Sequence, residues 1–193
     1  MADAGRVVAG TAKGMRLEAA GPGTRALTER VKEALFAILE AGGLGPWPTP
    51  FLDLFAGSGA GGIEALSRGA PRATFVERDR RALRATAANL QRCGLAERAL
   101  VVGAEVARFL EGDPAPAGGP FGAVLLDPPY GDATLEPSLA RLADAAQGWL
   151  LEDAVVVAKH FWRDRPRLVP PTLRPARERR FGETMLSFYR RVA

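Results

Sequence analysis

Gly57-Ser58-Gly59-Ala60-Gly61-Gly62 stands between an apolar run, residues 51–55, and a helix-periodic stretch through Ile63-Glu64-Ala65-Leu66. A G-x-G-x-x-G turn that leaves a strand and opens a helix confines the chain to a βα unit. Glycine permits the tight turn, the approach of a ligand to bare backbone, and close packing of helix on strand. The alternation then repeats. Residues 73–76, 99–102, 123–126 and 154–158 read as strands, and residues 80–90, 106–110 and 135–149 as helices. Apolar strands spaced by helices predict an α/β fold, a mostly parallel sheet with helices on both faces.

The ends of the chain differ from its middle. Residues 6–10 and 15–17 flank Thr11-Ala12-Lys13-Gly14 and predict a β-hairpin with Arg6, Lys13 and Arg16 facing outward. Thr28 is placed to cap a helix over residues 29–39, whose apolar stripe is Val31, Leu35, Ile38 and Leu39. Residues 177–181 and 184–189 flank Gly182-Glu183 and predict a second hairpin, adding an antiparallel strand to the sheet. At 193 residues the chain is long enough for one full core. The expectation is one domain over 1–193, with a hairpin extension at 1–24 and a core at 25–193.

Net charge is +4, and most of the 26 basic residues are arginine. They gather at the two ends, Arg6 to Lys32 and Arg163 to Arg180. Arginine forks match phosphates bidentately, so a nucleic-acid partner fits, although any one arginine taken singly reads as a solvated surface charge. One cysteine and one histidine leave no internal disulfide, no cysteine zinc cluster and no metal site. No run resembles a signal peptide or is long enough to span a bilayer, so a cytoplasmic monomer without membrane contact is expected.

Asp127-Pro128-Pro129-Tyr130 follows the strand at 123–126. Two prolines end the hydrogen-bonding ladder and hold the backbone extended, at the edge where open α/β sheets bind ligands. A carboxylate, a rigid carbonyl and an aromatic face suit a flat base carrying an exocyclic amine. The bland alternatives are a proline turn with a surface Asp, and a Tyr packed into the core. Glu77, about 20 residues past the first glycine, is where an acid bonds ribose hydroxyls. Asp53, just ahead of the glycines, would repel a dinucleotide pyrophosphate and favour a cation, such as the ammonium or sulfonium of S-adenosylmethionine (SAM). Glu105 and the Val106 amide suit an adenine edge, or else Glu105 is an acid at a helix start.

In order and context, Asp53-Leu54-Phe55-Ala56-Gly57-Ser58-Gly59, Glu77 and Asp127-Pro128-Pro129-Tyr130 resemble the SAM-dependent amino methyltransferases. Together with Arg6-Val7-Val8-Ala9-Gly10, Thr28 to Phe36, Glu64 to Ala70 and Phe181 to Thr184, the chain resembles the bacterial 16S rRNA guanine-N2 methyltransferases that modify guanine 966. The resemblance implies a Rossmann-like class I sheet of order 3-2-1-4-5-7-6 with strand seven antiparallel. It implies SAM as cofactor, held by Asp53, Phe55, Ala56, Gly57, Ser58, Gly59, Glu77, Arg78, Glu105 and Val106, with Arg30 near the methionine carboxylate. Asp127, Pro128, Pro129 and Tyr130 would hold the target base. Arg6, Lys13, Arg16 and Arg25 would grip RNA, the partner being 16S rRNA in a 30S subunit or assembly intermediate. Two departures stand out: Glu105 replaces the usual Asp or Asn, and Ala158-Lys159-His160 replaces an acidic end of strand five. The alternatives are a DNA adenine-N6 or cytosine-N4 methyltransferase, an NAD-dependent oxidoreductase, and a non-catalytic RNA-binding scaffold.

Overall fold

In the computed structural model, residues 3–21, 27–44 and 47–192 are described. Five strands run parallel: β3 (Phe51–Leu54), β4 (Ala73–Glu77), β5 (Ala99–Gly103), β6 (Phe121–Leu126) and β7 (Leu150–Phe161). A final hairpin, β8 (Leu173–Phe181) and β9 (Thr184–Arg191), joins through β9, which is antiparallel to both β7 and β8. The order is β5-β4-β3-β6-β7-β9-β8. Numbered from the first sheet strand, that is the expected 3-2-1-4-5-7-6 with strand seven reversed.

Alternate residues of the strands feed two apolar layers. Phe51, Phe75 and Leu125 pack on one face with Leu35 and Phe36 of α1 (Glu29–Leu39) and Ile63 and Leu66 of α2 (Ala60–Ser67). Leu52, Leu54, Val76, Val124 and Leu126 pack on the other with Leu139 of α5 (Leu135–Ala143) and Trp149. The period of two in each strand assigns these faces. Thr28 caps α1, its side chain accepting from the Val31 amide at 3.4 Å. Two further helices, α3 (Arg80–Arg92) and α4 (Val106–Phe109), complete the crossovers. At Gly62 an added Cβ would lie 2.3 Å from the Phe75 ring, so α2 seats on the sheet at a distance that only glycine permits.

The segment expected as one helix over 135–149 stops at Ala143. The Asp144 carboxylate accepts from the Ala146 amide at 2.9 Å, a local side-chain bond that competes with helix continuation. Gly148, at φ 69°, then turns the chain into β7, which begins four residues earlier than residue 154.

The N-terminal hairpin is displaced from its expected spans. Its strands are β1 (Asp3–Arg6) and β2 (Arg16–Glu18). The Val8 and Ala9 amides donate to the Glu64 carboxylate, at 2.8 and 3.0 Å, instead of to a partner strand. Gly10 (φ 84°) lies so close to α2 that a Cβ would sit 1.8 Å from the Ser67 carbonyl oxygen. Asn89 of α3 bonds the Glu18 amide and carbonyl at 2.8 and 3.0 Å. The hairpin is thus fastened to α2 and α3, which brings the following residues, Ala19 and Ala20, to the edge of the sheet.

Glu64 is fully buried and also takes the Arg68 Nε at 2.8 Å. Replacing Glu64 with Ala leaves two amides without their acceptor and takes one of two carboxylates from the Arg68 guanidinium, which keeps Glu40 at 3.0 Å. We expect a loss of about 3–5 kcal/mol in denaturant unfolding, the range for breaking a buried charge pair, with the hairpin amides losing hydrogen-exchange protection first.

Candidate active site at the carboxyl edge of the sheet

Strands β3 and β6 are neighbours in register, Asp53 opposite Leu125 and Leu54 opposite Leu126. The ladder continues one step further, the Asp127 amide donating to the Leu54 carbonyl at 3.2 Å. The glycine turn and the Asp127-Pro128-Pro129-Tyr130 segment therefore leave the same edge side by side. Phe55 takes a left-handed φ of 62° to start the turn, a conformation costly for a side chain with a Cβ.

That turn is held from three sides. The Gly57 amide donates to Glu77 Oε2 at 3.0 Å, Thr86 Oγ1 donates to the Gly57 carbonyl at 2.9 Å, and Asn89 Nδ2 donates to the Ser58 carbonyl at 3.0 Å. Glu77 Oε1 accepts from the Arg78 and Asp79 amides at 2.7 and 2.8 Å. Glu77 thus fixes the loop as well as facing the cavity, a role that spacing alone did not reveal. Gly57 (φ 58°) has nothing closer to an added Cβ than the Phe55 oxygen at 4.0 Å, so its backbone is open to a ligand. Gly59 (φ 79°) has a different role: its Cβ position meets Thr86 at 2.9 Å, so it serves packing and is not on the cavity wall.

The cavity at this edge measures about 410 Å³. It brings together Asp53, Phe55, Ala56, Gly57, Ser58, Glu77, Arg78, Glu105, Val106, Asp127, Pro128, Pro129 and Tyr130. Asp53 is 2% exposed and accepts from the Gly62 amide at 2.7 Å. Burial pushes its carboxyl up to about 8 from an ordinary 3.8; the Gly62 bond opposes this, while Asp127 and Glu77 add to it by repulsion. At neutral pH such an acid holds its proton, and a cation on the cavity side would favour its ionisation.

Asp127 forms an ion pair with Lys159 of β7. Burial raises its carboxyl and the Lys159 ammonium opposes the rise. Tyr130 Oη and Thr184 Oγ1 are hydrogen-bonded at 2.6 Å, which ties the Pro-Pro-Tyr turn to the start of β9. Lys159 Nζ lies 5.1 Å from the Tyr130 ring centroid. The ring is half-buried on the cavity wall, so the reading of Tyr130 as a core aromatic does not describe it.

Other expected residues lie elsewhere. Arg30 does not line this cavity; it borders a neighbouring hollow, 6.0 Å from the Phe181 ring centroid. Glu105, by contrast, does line the cavity, and pairs with Arg78 at 3.0 Å on its exposed rim. Arg6, Lys13 and Arg16 are exposed on the docked hairpin and line neither space. Arg25 lies outside the described residues. Ala19, Ala20, Leu27 and Lys159 wall the cavity without having been anticipated there. For Lys159 a signal existed, since Leu126 opposite Ala158 makes Asp127 and Lys159 neighbours once β6 and β7 are paired. No helix among the described residues is long and apolar enough to cross a membrane.

Comparison with known proteins agrees with this architecture. The model of the family described as conserved hypothetical protein 95 matches residues 5–190. A Bacillus subtilis protein provisionally named rRNA methyltransferase YlbH is 38% identical over 193 residues, covering 96% of this chain and 98% of its own. Ribosomal RNA small subunit methyltransferase D of Escherichia coli is 34% identical, covering 97% and 90%. Among solved structures, Escherichia coli yhhF, provisionally titled a methyltransferase, superposes with a TM-score of 0.81 at 34% identity, covering 97% of this chain and 98% of that one. A Salinibacter ruber RNA methyltransferase, at 20% identity, shares the fold with a TM-score of 0.58. A family match across nearly the whole sequence, joined to relatives above 30% identity over the same span, establishes that this chain belongs to the conserved hypothetical protein 95 family, that of the bacterial small-subunit rRNA methyltransferases D.

Proposed function

We propose that the protein transfers a methyl group from SAM to the exocyclic N2 amine of a guanine in 16S rRNA, guanine 966 by its family resemblance. The observation that carries this reading is the opening of the glycine turn with Asp53, and of Asp127-Pro128-Pro129-Tyr130, into one cavity. The names of the relatives, rRNA methyltransferases, support the same substrate class.

The residues fit the cofactor. Gly57 offers bare backbone, a cation beside Asp53 would favour its carboxylate, and Glu77 and Val106 line the same cavity, available to ribose and adenine. When bound, SAM supplies an electrophilic methyl on a sulfonium. The chain's own residues supply alignment. A guanine N2 is a poor nucleophile because its lone pair is delocalised into the ring. Asp127 and the Pro128 carbonyl accept its two N–H bonds, which favours a tetrahedral nitrogen and turns the lone pair out of the ring plane. Asp127 then stabilises the positive charge that develops on nitrogen and passes the released proton towards water. Holding the amine in line contributes up to about 7–11 kcal/mol in well-oriented systems. Stacking on Tyr130 adds roughly 1–3 kcal/mol, by comparison with single-strand binding. The base must be splayed out of any helix to reach the cavity.

Labelled SAM incubated with the protein and 16S rRNA, 30S particles or duplex DNA tests the reading. Methyl transfer to the RNA substrates and not to DNA is expected, with mass spectrometry placing the label on guanine N2. Asp127→Ala should lower kcat at least 100-fold while SAM affinity stays within a few-fold, since an electrostatic stabiliser of the transition state is worth about 2.7–4 kcal/mol. Full activity in that variant would remove Asp127 from the reaction.

Asp53 links binding to pH. Free, its folded pKa of about 8 lies above 3.8, so between those values the unfolded chain sheds a proton that the folded chain keeps, and stability falls as pH rises. A bound cation favours the carboxylate and reverses this. SAM binding should therefore release up to one proton at pH 7 and tighten with rising pH until about 8. Calorimetry in buffers of different ionisation enthalpy measures the release. Asp53→Asn should bind more weakly, and its proton release should drop by the share that Asp53 supplies.

A further inference from the structure

Beside the cavity lies a second hollow, between the start of α1 and the β8–β9 turn. Its walls include Thr28, Arg30, Tyr130, Lys159, Arg180 and Thr184. The pairing of Phe161 with Thr184 puts this turn at the same edge of the sheet as Asp127, and the Tyr130–Thr184 bond joins the two spaces. Tyr130 and Lys159 border both.

Three cations surround the hollow. Arg30 lies 6.0 Å from the Phe181 ring centroid, and Arg180 lies 4.0 Å from that of Trp162 with its Nε bonded to the Gly182 carbonyl at 2.8 Å. Among the described residues, no carboxylate stands within ion-pair distance of Arg30 or Arg180. Lys159 has its partner, Asp127, on the cavity side. Arg30 and Arg180 line the same hollow, each set against an aromatic ring, so their charges add at one place. Arginine forks suit a phosphate, and a base lying against Tyr130 has its own backbone phosphates within one nucleotide's reach.

We propose that this hollow seats a backbone phosphate of the RNA nucleotide whose base enters the cavity, with Arg30 and Arg180 as its main ligands. This rests on the proposed reading of the cavity as the methyl-transfer site. It reassigns Arg30 from the cofactor to the RNA. Lys159 gains a role as well, because an anion in the hollow draws its ammonium away from Asp127 and leaves that carboxylate to accept the amine.

Arg30→Ala, Arg180→Ala and the double variant test the seat, with Arg72→Ala as control, an exposed arginine at the opposite edge just before β4. The probes are SAM, a short single-stranded guanine-containing oligoribonucleotide, and 16S rRNA for turnover. The double variant should bind SAM as the wild type does and lose at least tenfold in oligonucleotide affinity. The slope of log affinity against log salt should shrink by about 0.7, the share of one phosphate on a single strand, with turnover falling mainly through KM. An unchanged slope and affinity, matching Arg72→Ala, would overturn the seat. So would a loss confined to SAM binding, which would return Arg30 to the methionine end. Failure of the wild-type protein to methylate rRNA would instead strike the proposed function, and the salt slope would still judge the seat.

Discussion

The parallel pairing of β3 with β6 is the interaction on which the site depends. Register places Leu54 against Leu126, and one further backbone bond carries it to Asp127. Both chains then turn away from the sheet at the same level, one through glycines and the other through prolines. Neither turn could form a wall alone. Side by side they enclose a space walled by Asp53, Asp127 and the two prolines. The fastening of the N-terminal hairpin through Glu64, Ser67 and Asn89 serves the same end, because it delivers Ala19 and Ala20 to the remaining side.

Electrostatics make this edge costly without ligands. Asp53, Glu77 and Asp127 converge on one cavity, and the first two are answered largely by backbone amides. Asp53 responds by holding its proton to about pH 8, while Asp127 borrows the charge of Lys159. Across Lys159 the sign reverses, with Arg30 and Arg180 around the second hollow. The boundary between acidic and basic halves runs through Tyr130 and Lys159. A cationic cofactor on one side and a polyanionic substrate on the other would relieve both halves at once.

Much of this is legible in the residues alone. The βα rhythm, the two hairpins, the strand order implied by resemblance and the α1 cap all stand in the fold. So do the residues of the glycine and proline turns, because local backbone chemistry determines such turns. What spacing could not supply was mostly long-range. The hairpin spans were decided by a carboxylate 56 residues further along, whereas the end of α5 was a local matter, an Asp144 side-chain bond that helix periodicity does not report. Glu77 was visible as an acid at the right distance, but its grip on the Gly57 amide was not. The Asp127–Lys159 pair required knowing that β6 and β7 are adjacent. Arg30 was put near the methionine carboxylate by the family resemblance, and it borders the hollow lined by Tyr130 and the β8–β9 turn.

The most direct test of the proposed geometry is a crystal structure with S-adenosylhomocysteine and a short guanine-containing RNA bound together. The account predicts the thioether sulfur beside the Gly57 turn, with guanine N2 within hydrogen-bond reach of both Asp127 and the Pro128 carbonyl and its ring against Tyr130. A complex in which the base docks outside the cavity, with Asp127 still held by Lys159 and far from the amine, would contradict it.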